Sequence, residues 1–176
     1  MVTFVDRVTL HLRAGNTAAR TFEVHGNIDY RRCTERCTTE LHPLPERFFG
    51  WPKERELDDE GLAALNCPRC GAMGRPHVLW FDEYYEEGLY RFKSGLRGVA
   101  ASNLLIYIGC SGAANLPLMA AREASYAGAS IVDINPGDNP FAQIASESPR
   151  GHWVKATAEE ALPELVEALL ARRGTS

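Results

Sequence analysis

Apolar residues in the second half of the chain form short continuous runs that alternate with segments of helical spacing. The runs LLIYIG (104–109), SIVDIN (130–135) and HWVKA (152–156) have the length and hydrophobicity of buried strands. The intervening segment LPLMAAREASYAGA (116–129) has helical spacing and ends near Gly128. Near-continuous apolar strands separated by a helix predict an α/β fold with a parallel sheet.

Two further segments have helical character, but their boundaries are less well defined. The pair Thr157 and Glu160 has capping-box spacing at the start of a C-terminal helix, whereas Pro163 favours a start nearer to itself. The pattern leaves this start open. Residues 83–102 are helix-like, and we expect glycines to break this helix at Gly88, Gly95 and Gly98.

The first half of the chain is less regular. Residues 1–30 contain short β-type runs, and residues 31–77 contain two cysteine pairs and a polar insert. In this insert the charge run ERELDDE (54–60) predicts a solvated surface, and GLAAL (61–65) predicts one or two helical turns. Residues 31–77 are therefore expected to form a small module of their own.

Composition places the chain among ordinary globular proteins. It has 176 residues, of which 45% are hydrophobic and 24% charged, and a formal net charge of −4. This acidic balance argues against a nucleic-acid partner. No run approaches the ~20 apolar residues of a membrane span, and the charged N-terminus lacks the apolar core of a signal peptide. We therefore expect no membrane partner and a cytoplasmic protein.

Four of the five cysteines form two close pairs, CTERC and CPRC, while Cys110 stands apart. In a reducing compartment such pairs are more often zinc ligands than disulfides. Four thiolates satisfy tetrahedral zinc and leave no open position, so we expect a structural zinc ribbon with four cysteine ligands. The alternative is four unrelated buried cysteines. The predicted ligands are Cys33, Cys37, Cys67 and Cys70.

A second set of residues lies where predicted strands end. Gly109 and Ser111 follow the run LLIYI, and small residues at a strand-to-helix turn let a phosphate approach the backbone amides. Asp133 and Asn135 end the next strand, at the edge where a ribose hydroxyl binds in nucleotide folds. The alternative is a glycine that simply turns the chain. The segment is not a GxGxxG fingerprint.

The order of these motifs resembles that of the sirtuins, the NAD-dependent protein deacylases. VHGNIDYRRCTERC, CPRCGAMGRPHVLWFDE, IGCSGAANLP, VDINPG and ALPEL follow one another as in that family, over about residues 9–170. The resemblance implies a partial Rossmann-like domain from 1–30 and 78–176, with the zinc-binding module at 31–77. It also implies NAD and structural zinc as cofactors, and an acyl-lysine protein or peptide as substrate.

The resemblance also assigns roles to individual residues. His25 matches the histidine that acts as general base on a ribose hydroxyl after nicotinamide has left, a role that suits an imidazole. Gly109, Ser111 and Asn135 match positions that contact the cofactor, and Cys110 stands where threonine is usual.

The apolar run after the second cysteine pair matches the family's peptide-binding edge. Such an edge holds an extended acyl-lysine peptide by β-augmentation, with main-chain hydrogen bonds and apolar walls. The alternative is an ordinary core strand. Asp82 replaces the usual glycine at the end of the run. The predicted substrate-binding residues are His77, Val78, Leu79, Trp80 and Phe81.

The chain also departs from the family pattern at its beginning. The glycine-rich loop that opens a sirtuin is not found, and Asp6 is the one residue that resembles the nicotinamide-pocket motif. We therefore expect a truncated chain, a second chain that completes the sheet, or a homo-oligomer that seals the strand edge. The function implied is lysine deacylation or protein ADP-ribosylation. The alternatives are a sirtuin-like module that binds peptide or nucleotide without turnover, and a zinc-ribbon interaction domain.

Overall fold

A computed structural model describes residues 3–4, 10–52 and 54–173. The chain divides into two compact units, Met1–Gly95 and Leu96–Ser176. The division at residues 31 and 78 stays a prediction, and Asp6 lies outside the described residues. No helix in the described part of the chain combines the length and hydrophobicity that a bilayer crossing requires.

The second unit contains a three-stranded parallel sheet in the order β6-β7-β8. Its strands are β6 (Leu104–Ile108), β7 (Ser130–Ile134) and β8 (His152–Val154). This confirms the predicted parallel α/β layer. The core of the unit includes Ile131 and Ile134 of β7.

Three helices accompany this sheet, namely α5 (Asn115–Tyr126), α6 (Pro140–Glu147) and α7 (Ala158–Arg173). Helix α5 confirms the prediction and ends before Gly128, whose φ is +68°. Helix α6 was not predicted, although Asn139 and Pro140 form a helix-start signal. The Asn139 side chain accepts hydrogen bonds from the first amides of α6.

Strand β6 is only partly buried, contrary to the expectation for LLIYIG. Leu104 and Ile108 are each 47% exposed, while Tyr107 is buried. In the described sheet β6 is an edge strand, whereas the central strand β7 packs against both neighbouring helices of the unit, α5 and α6.

Helix α7 begins at Ala158, as the capping-box spacing predicts. The Thr157 amide donates to the Glu160 carboxylate at 3.0 Å, and the Glu160 amide donates to the Thr157 hydroxyl at 3.3 Å. Pro163 lies inside the helix, where it removes one backbone donor. The start of the helix therefore follows the reciprocal cap and not the proline.

The first unit is built on an antiparallel sheet in the order β4-β3-β5. The central strand β3 (Gly26–Cys33) lies between β4 (His42–Pro43) and β5 (Gly74–Val78). The short strands β1 (Thr3–Phe4) and β2 (Thr21–Phe22) pair in parallel. Short helices α1 (Leu10–Arg13) and α2 (Asp59–Ala64) complete this part, and α2 confirms the predicted helical turns.

The helix-like stretch 83–102 breaks at Arg91, which makes the predicted glycine breaks wrong. Helix α3 (Glu87–Tyr90) contains Gly88, and α4 (Phe92–Ala100) contains the other two glycines. Arg91 adopts a left-handed conformation with φ +53°. Its guanidinium donates to the Ala18 carbonyl at 2.7 Å and lies 4.2 Å from the Phe22 ring centroid, and these contacts hold the unusual backbone in place.

Candidate functional site

The four paired cysteines meet at one point of the first unit. Their sulfur atoms all lie within 4.8 Å of one another. The Sγ atoms of Cys33 and Cys70 are 3.5 Å apart, and those of Cys37 and Cys67 are 3.6 Å apart. These separations are too long for disulfides. They match the edge of a tetrahedron with zinc–sulfur bonds of about 2.3 Å, which is about 3.8 Å.

Two turns present these sulfurs. Cys33 ends β3, and Cys37 follows in a turn where Arg36 has φ +50°. In the second turn the Gly71 amide donates to the Cys67 carbonyl at 2.9 Å, and Gly71 has φ +75°. Each turn therefore folds its own pair of sulfurs towards a common centre.

The electrostatics of the cluster favour a bound cation. Backbone amide hydrogen bonds, first that of Cys70, lower the pKa of the Cys67 thiol to about 6. The neighbouring sulfurs, first that of Cys70, raise the pKa of Cys37. Four adjacent thiols cannot all ionise without a positive charge among them, so the donor set fits a divalent soft metal such as zinc.

His25 is held by a turn that requires glycine at the next position. Gly26 has φ +85°, and a Cβ there would lie 2.1 Å from the His77 carbonyl oxygen. The Leu79 amide donates to the His25 carbonyl at 3.0 Å. The His–Gly pair noted in the sequence therefore lets β3 approach β5 closely, and the Leu79 hydrogen bond fixes the backbone of His25.

The His25 side chain contacts a residue that the sequence pattern did not indicate. Its Nε2 atom lies 3.1 Å from the Tyr85 hydroxyl, and the two ring centroids are 6.0 Å apart. The two residues are 60 positions apart in the chain, so no local pattern indicates the contact.

The predicted substrate-binding run divides into two parts. His77, Val78 and Leu79 are buried, and β5 ends at Val78. Trp80 is 51% exposed and Phe81 is fully exposed. The first three side chains therefore pack as core residues, while the last two present apolar surface to solvent. Substrate binding by these residues stays a prediction.

His77 itself is buried and packs against an aromatic ring. Its ring stacks on Tyr90 with centroids 5.1 Å apart and an interplanar angle of 7°. Burial, helped by the positive charge of Arg32, lowers the pKa of His77 to about 4. A neutral imidazole in this position acts as an aromatic core residue.

A partly buried charge cluster anchors the turn after Phe81, and no local sequence signal indicates it. Arg32 donates to the Glu83 carboxylate at 2.8 Å, and Arg75 donates to it at 2.5 Å. The Trp80 amide also donates to Glu83, at 3.0 Å. Burial would raise the pKa of Glu83, but these donors outweigh it and the net pKa is lowered.

In the second unit the predicted cofactor residues come together at the ends of β6 and β7. The Asn135 side-chain amide donates to the Cys110 carbonyl at 3.1 Å, which ties the Gly109 turn to the end of β7. In the same loop the Ser111 hydroxyl accepts a hydrogen bond from the Ala113 amide at 3.4 Å. The structure therefore brings the predicted residues of two strand ends into one loop cluster.

This loop has room for a ligand. Gly109 has φ +60°, and a Cβ added there would meet no atom within 4 Å. Helix α5 begins after Ala114 without a side-chain cap. An open turn and uncapped amides fit a phosphate group.

Asp133 lies close to this loop and is fully buried. The Asn139 side-chain amide donates to Oδ2 of Asp133 at 2.8 Å. Burial raises the pKa of Asp133, and that of the nearby Cys110 thiol as well. Asp133 therefore supports the loop after Asn135, and is not exposed for a ribose hydroxyl in this structure.

Comparison with known proteins identifies the family. The sequence profile of the Sir2 family matches residues 4–115. The chain belongs to the Sir2 family. This sirtuin is 36% identical over 139 residues to the NAD-dependent protein deacylase of Aeropyrum pernix, across 77% of this chain and 48% of that protein.

Solved structures agree with this assignment. An ADP-ribose complex of a mutant Sir2 homologue superposes on 96% of the sirtuin chain and 59% of its own, with a TM-score of 0.71 and 25% identity. Sir2Tm bound to a propionylated peptide covers 99% of this chain and 65% of its own, with a TM-score of 0.65 and 20% identity, and shows the fold alone. The chain spans about half the length of the curated relatives it matches.

Proposed function

We propose that this sirtuin chain acts in the NAD-dependent removal of acyl groups from protein lysines, with His25 as the general base. The observation that carries the proposal is the placement of His25 on the Gly26 turn, beside the segment that leads into Trp80 and Phe81. The relative from Aeropyrum pernix, an NAD-dependent protein deacylase, supports the reaction class.

NAD, when bound, would supply the ribose that accepts the acyl group from the lysine of the substrate, with nicotinamide as the leaving group. His25 would take a proton from a ribose hydroxyl, a role that suits an imidazole side chain. Gly109 and Ser111 would hold phosphate oxygens through backbone amides near the start of α5, and Asn135 would contact a ribose. These roles rest on the open turn and the uncapped helix start.

The peptide is proposed to lie along the exposed end of the 77–81 run. Trp80 and Phe81 offer apolar side chains to solvent, and β5 has a neighbour on one side only in the described sheet. Both features fit an acyl-lysine peptide that adds as an extended strand. The relatives named as protein deacylases support an acylated protein ligand. Asp82 would favour peptides with a basic residue nearby.

Zinc is proposed at the four cysteines as a structural ion. The tetrahedral spacing of the sulfurs supports this assignment, as does the lack of a fifth donor in the cluster among the described residues. The zinc would hold the end of β3 and the turn before β5 together. At the opposite end of this strand pair, His25 comes just before β3 and Trp80 lies just after β5. A second chain or copy that completes the β6 edge stays a prediction, as does a cytoplasmic location.

The test is nicotinamide release from NAD in the presence of an acetyl-lysine peptide, followed by chromatography. We expect release by the native chain, loss of it in His25→Ala, and unchanged release in the control His152→Ala, whose side chain is exposed. Release that persists in His25→Ala would contradict the role of the base. Peptide or NAD binding in calorimetry without any release would instead indicate a module that binds without turnover.

A further inference from the structure

The Tyr85 side chain contacts the proposed base. Its hydroxyl lies 3.1 Å from Nε2 of His25, with the two ring planes tilted by 54°. The Tyr85 ring also packs against Phe92, with centroids 4.3 Å apart and an interplanar angle of 22°. The phenol is therefore held by stacking while its polar end contacts the imidazole.

Tyr85 follows the charge cluster formed by Glu83, Arg32 and Arg75. Tyr85 lies two residues after Glu83, whose carboxylate accepts from Arg32, Arg75 and the Trp80 amide. The amide of residue 86 closes the turn on the carbonyl of residue 84 at 2.8 Å. The same turn thus carries the exposed Trp80 at one end and Tyr85 at the other.

An imidazole has two nitrogens and a ring that can rotate. A histidine at the correct position therefore cannot act as a base when its ring is turned away or carries its proton on the reacting nitrogen. A hydrogen bond to one nitrogen fixes both the ring plane and the tautomer. Catalytic bases are commonly oriented by a third group in this way. Tyr85 supplies such a bond to His25.

We propose that Tyr85 is a positioning residue for His25, and that its hydroxyl fixes the orientation and tautomer of the ring used in the reaction. The proposal rests on the proposed function. It assigns no contact between Tyr85 and the reacting atoms. A partly buried neutral hydrogen bond changes an equilibrium by roughly three- to tenfold, and this is the scale of effect expected on turnover.

The matched variants are Tyr85→Phe and Tyr84→Phe. The first deletes only the hydroxyl and keeps the ring that stacks on Phe92. The second makes the same change one residue earlier, on a side chain that is 92% exposed. Two readouts are needed, namely the ¹⁵N chemical shifts of the His25 ring and the steady-state kinetics of nicotinamide release.

We expect Tyr85→Phe to shift the His25 Nε2 resonance and change the tautomer balance. We also expect kcat to fall roughly three- to tenfold, with KM for NAD and for peptide changed less than about twofold. Tyr84→Phe is expected to match the native chain in both readouts. His25→Ala assigns the ring signals by their loss.

Unchanged ring shifts and unchanged kcat in Tyr85→Phe would overturn the proposal. Faster turnover in Tyr85→Phe would also overturn it, because the hydroxyl would then compete with substrate for the ring nitrogen. If the native chain releases no nicotinamide, the proposed function fails. The ring shifts would still decide whether Tyr85 orients His25, so the two failures are distinguishable.

Discussion

His77 makes the stability of the chain depend on pH in a way that can be calculated. The imidazole is 2% exposed and stacks on Tyr90, and its Nδ1 has no hydrogen-bond partner among the described residues. Burial lowers the pKa of His77 from 6.5 to about 4. The folded state therefore disfavours the proton that the unfolded chain accepts.

This difference in pKa corresponds to about 3 kcal/mol of unfolding free energy. A depressed pKa in the folded state contributes stability that is fully present above the unfolded value of 6.5 and is lost as the pH falls towards 4. Between pH 7 and pH 4 the native chain should accordingly lose about 3 kcal/mol through His77 alone.

The assay is urea unfolding of the native chain and of His77→Phe at several pH values from 7 to 4. Phenylalanine keeps an aromatic ring against Tyr90 and cannot be protonated. Protonation of the cysteine cluster affects both proteins equally, so the quantity to compare is the difference in unfolding free energy between them. We expect this difference to change by about 3 kcal/mol in favour of the variant as the pH falls. A difference that stays constant with pH would show that His77 does not couple protonation to unfolding.

Three further changes test the surroundings of the site. Gly26→Ala should lower the free energy of unfolding by at least about 2 kcal/mol, because it combines a positive φ with a Cβ 2.1 Å from the His77 oxygen. The control Gly137→Ala, whose Cβ would lie in open space, should change it by less than about 0.5 kcal/mol. Equal effects of the two changes in urea unfolding would contradict the close approach. Glu83→Gln should lower the free energy of unfolding by about 3 kcal/mol, because it leaves the buried Arg32 without its counter-ion. The exposed control Glu86→Gln should lower it by less than about 0.5 kcal/mol. A Glu83→Gln variant as stable as the native chain would contradict the charge cluster. Elemental analysis should find about one zinc per chain, and Cys67→Ser should lose both the metal and most of the thermal stability; a metal-free chain that melts like the native one would exclude a structural zinc.

Local patterns predicted most of the second unit. The strands β6, β7 and β8 follow from continuous apolar runs, and the helix α5 follows from helical spacing. The start of α7, which the sequence left open, lies at the capping box, where reciprocal hydrogen bonds outweigh one missing proline donor. The break at Arg91 was not predictable. It depends on carbonyl contacts about 70 residues away along the chain, and single glycines inside a helix cost too little to end it.

The metal site could be predicted because its ligands form two pairs that are closely spaced along the sequence. The four cysteines carry that spacing in the sequence, and the fold brings their sulfurs together. The contacts of Glu83 with Arg32 and of Tyr85 with His25 span 51 and 60 residues. They depend on the register of β3 against β5, and no local pattern encodes it. The run VLWF is apolar throughout, so hydrophobicity alone cannot show that burial ends after Leu79.

The proposed reaction of this sirtuin chain removes an acyl group from lysine at the expense of NAD. A direct test is mass spectrometry of an acetyl-lysine peptide, combined with nicotinamide quantification in the same reaction. We predict that deacetylated peptide and nicotinamide form in equal amounts. Nicotinamide without deacetylation, or a peptide that gains mass instead of losing its acetyl group, would contradict the proposed reaction.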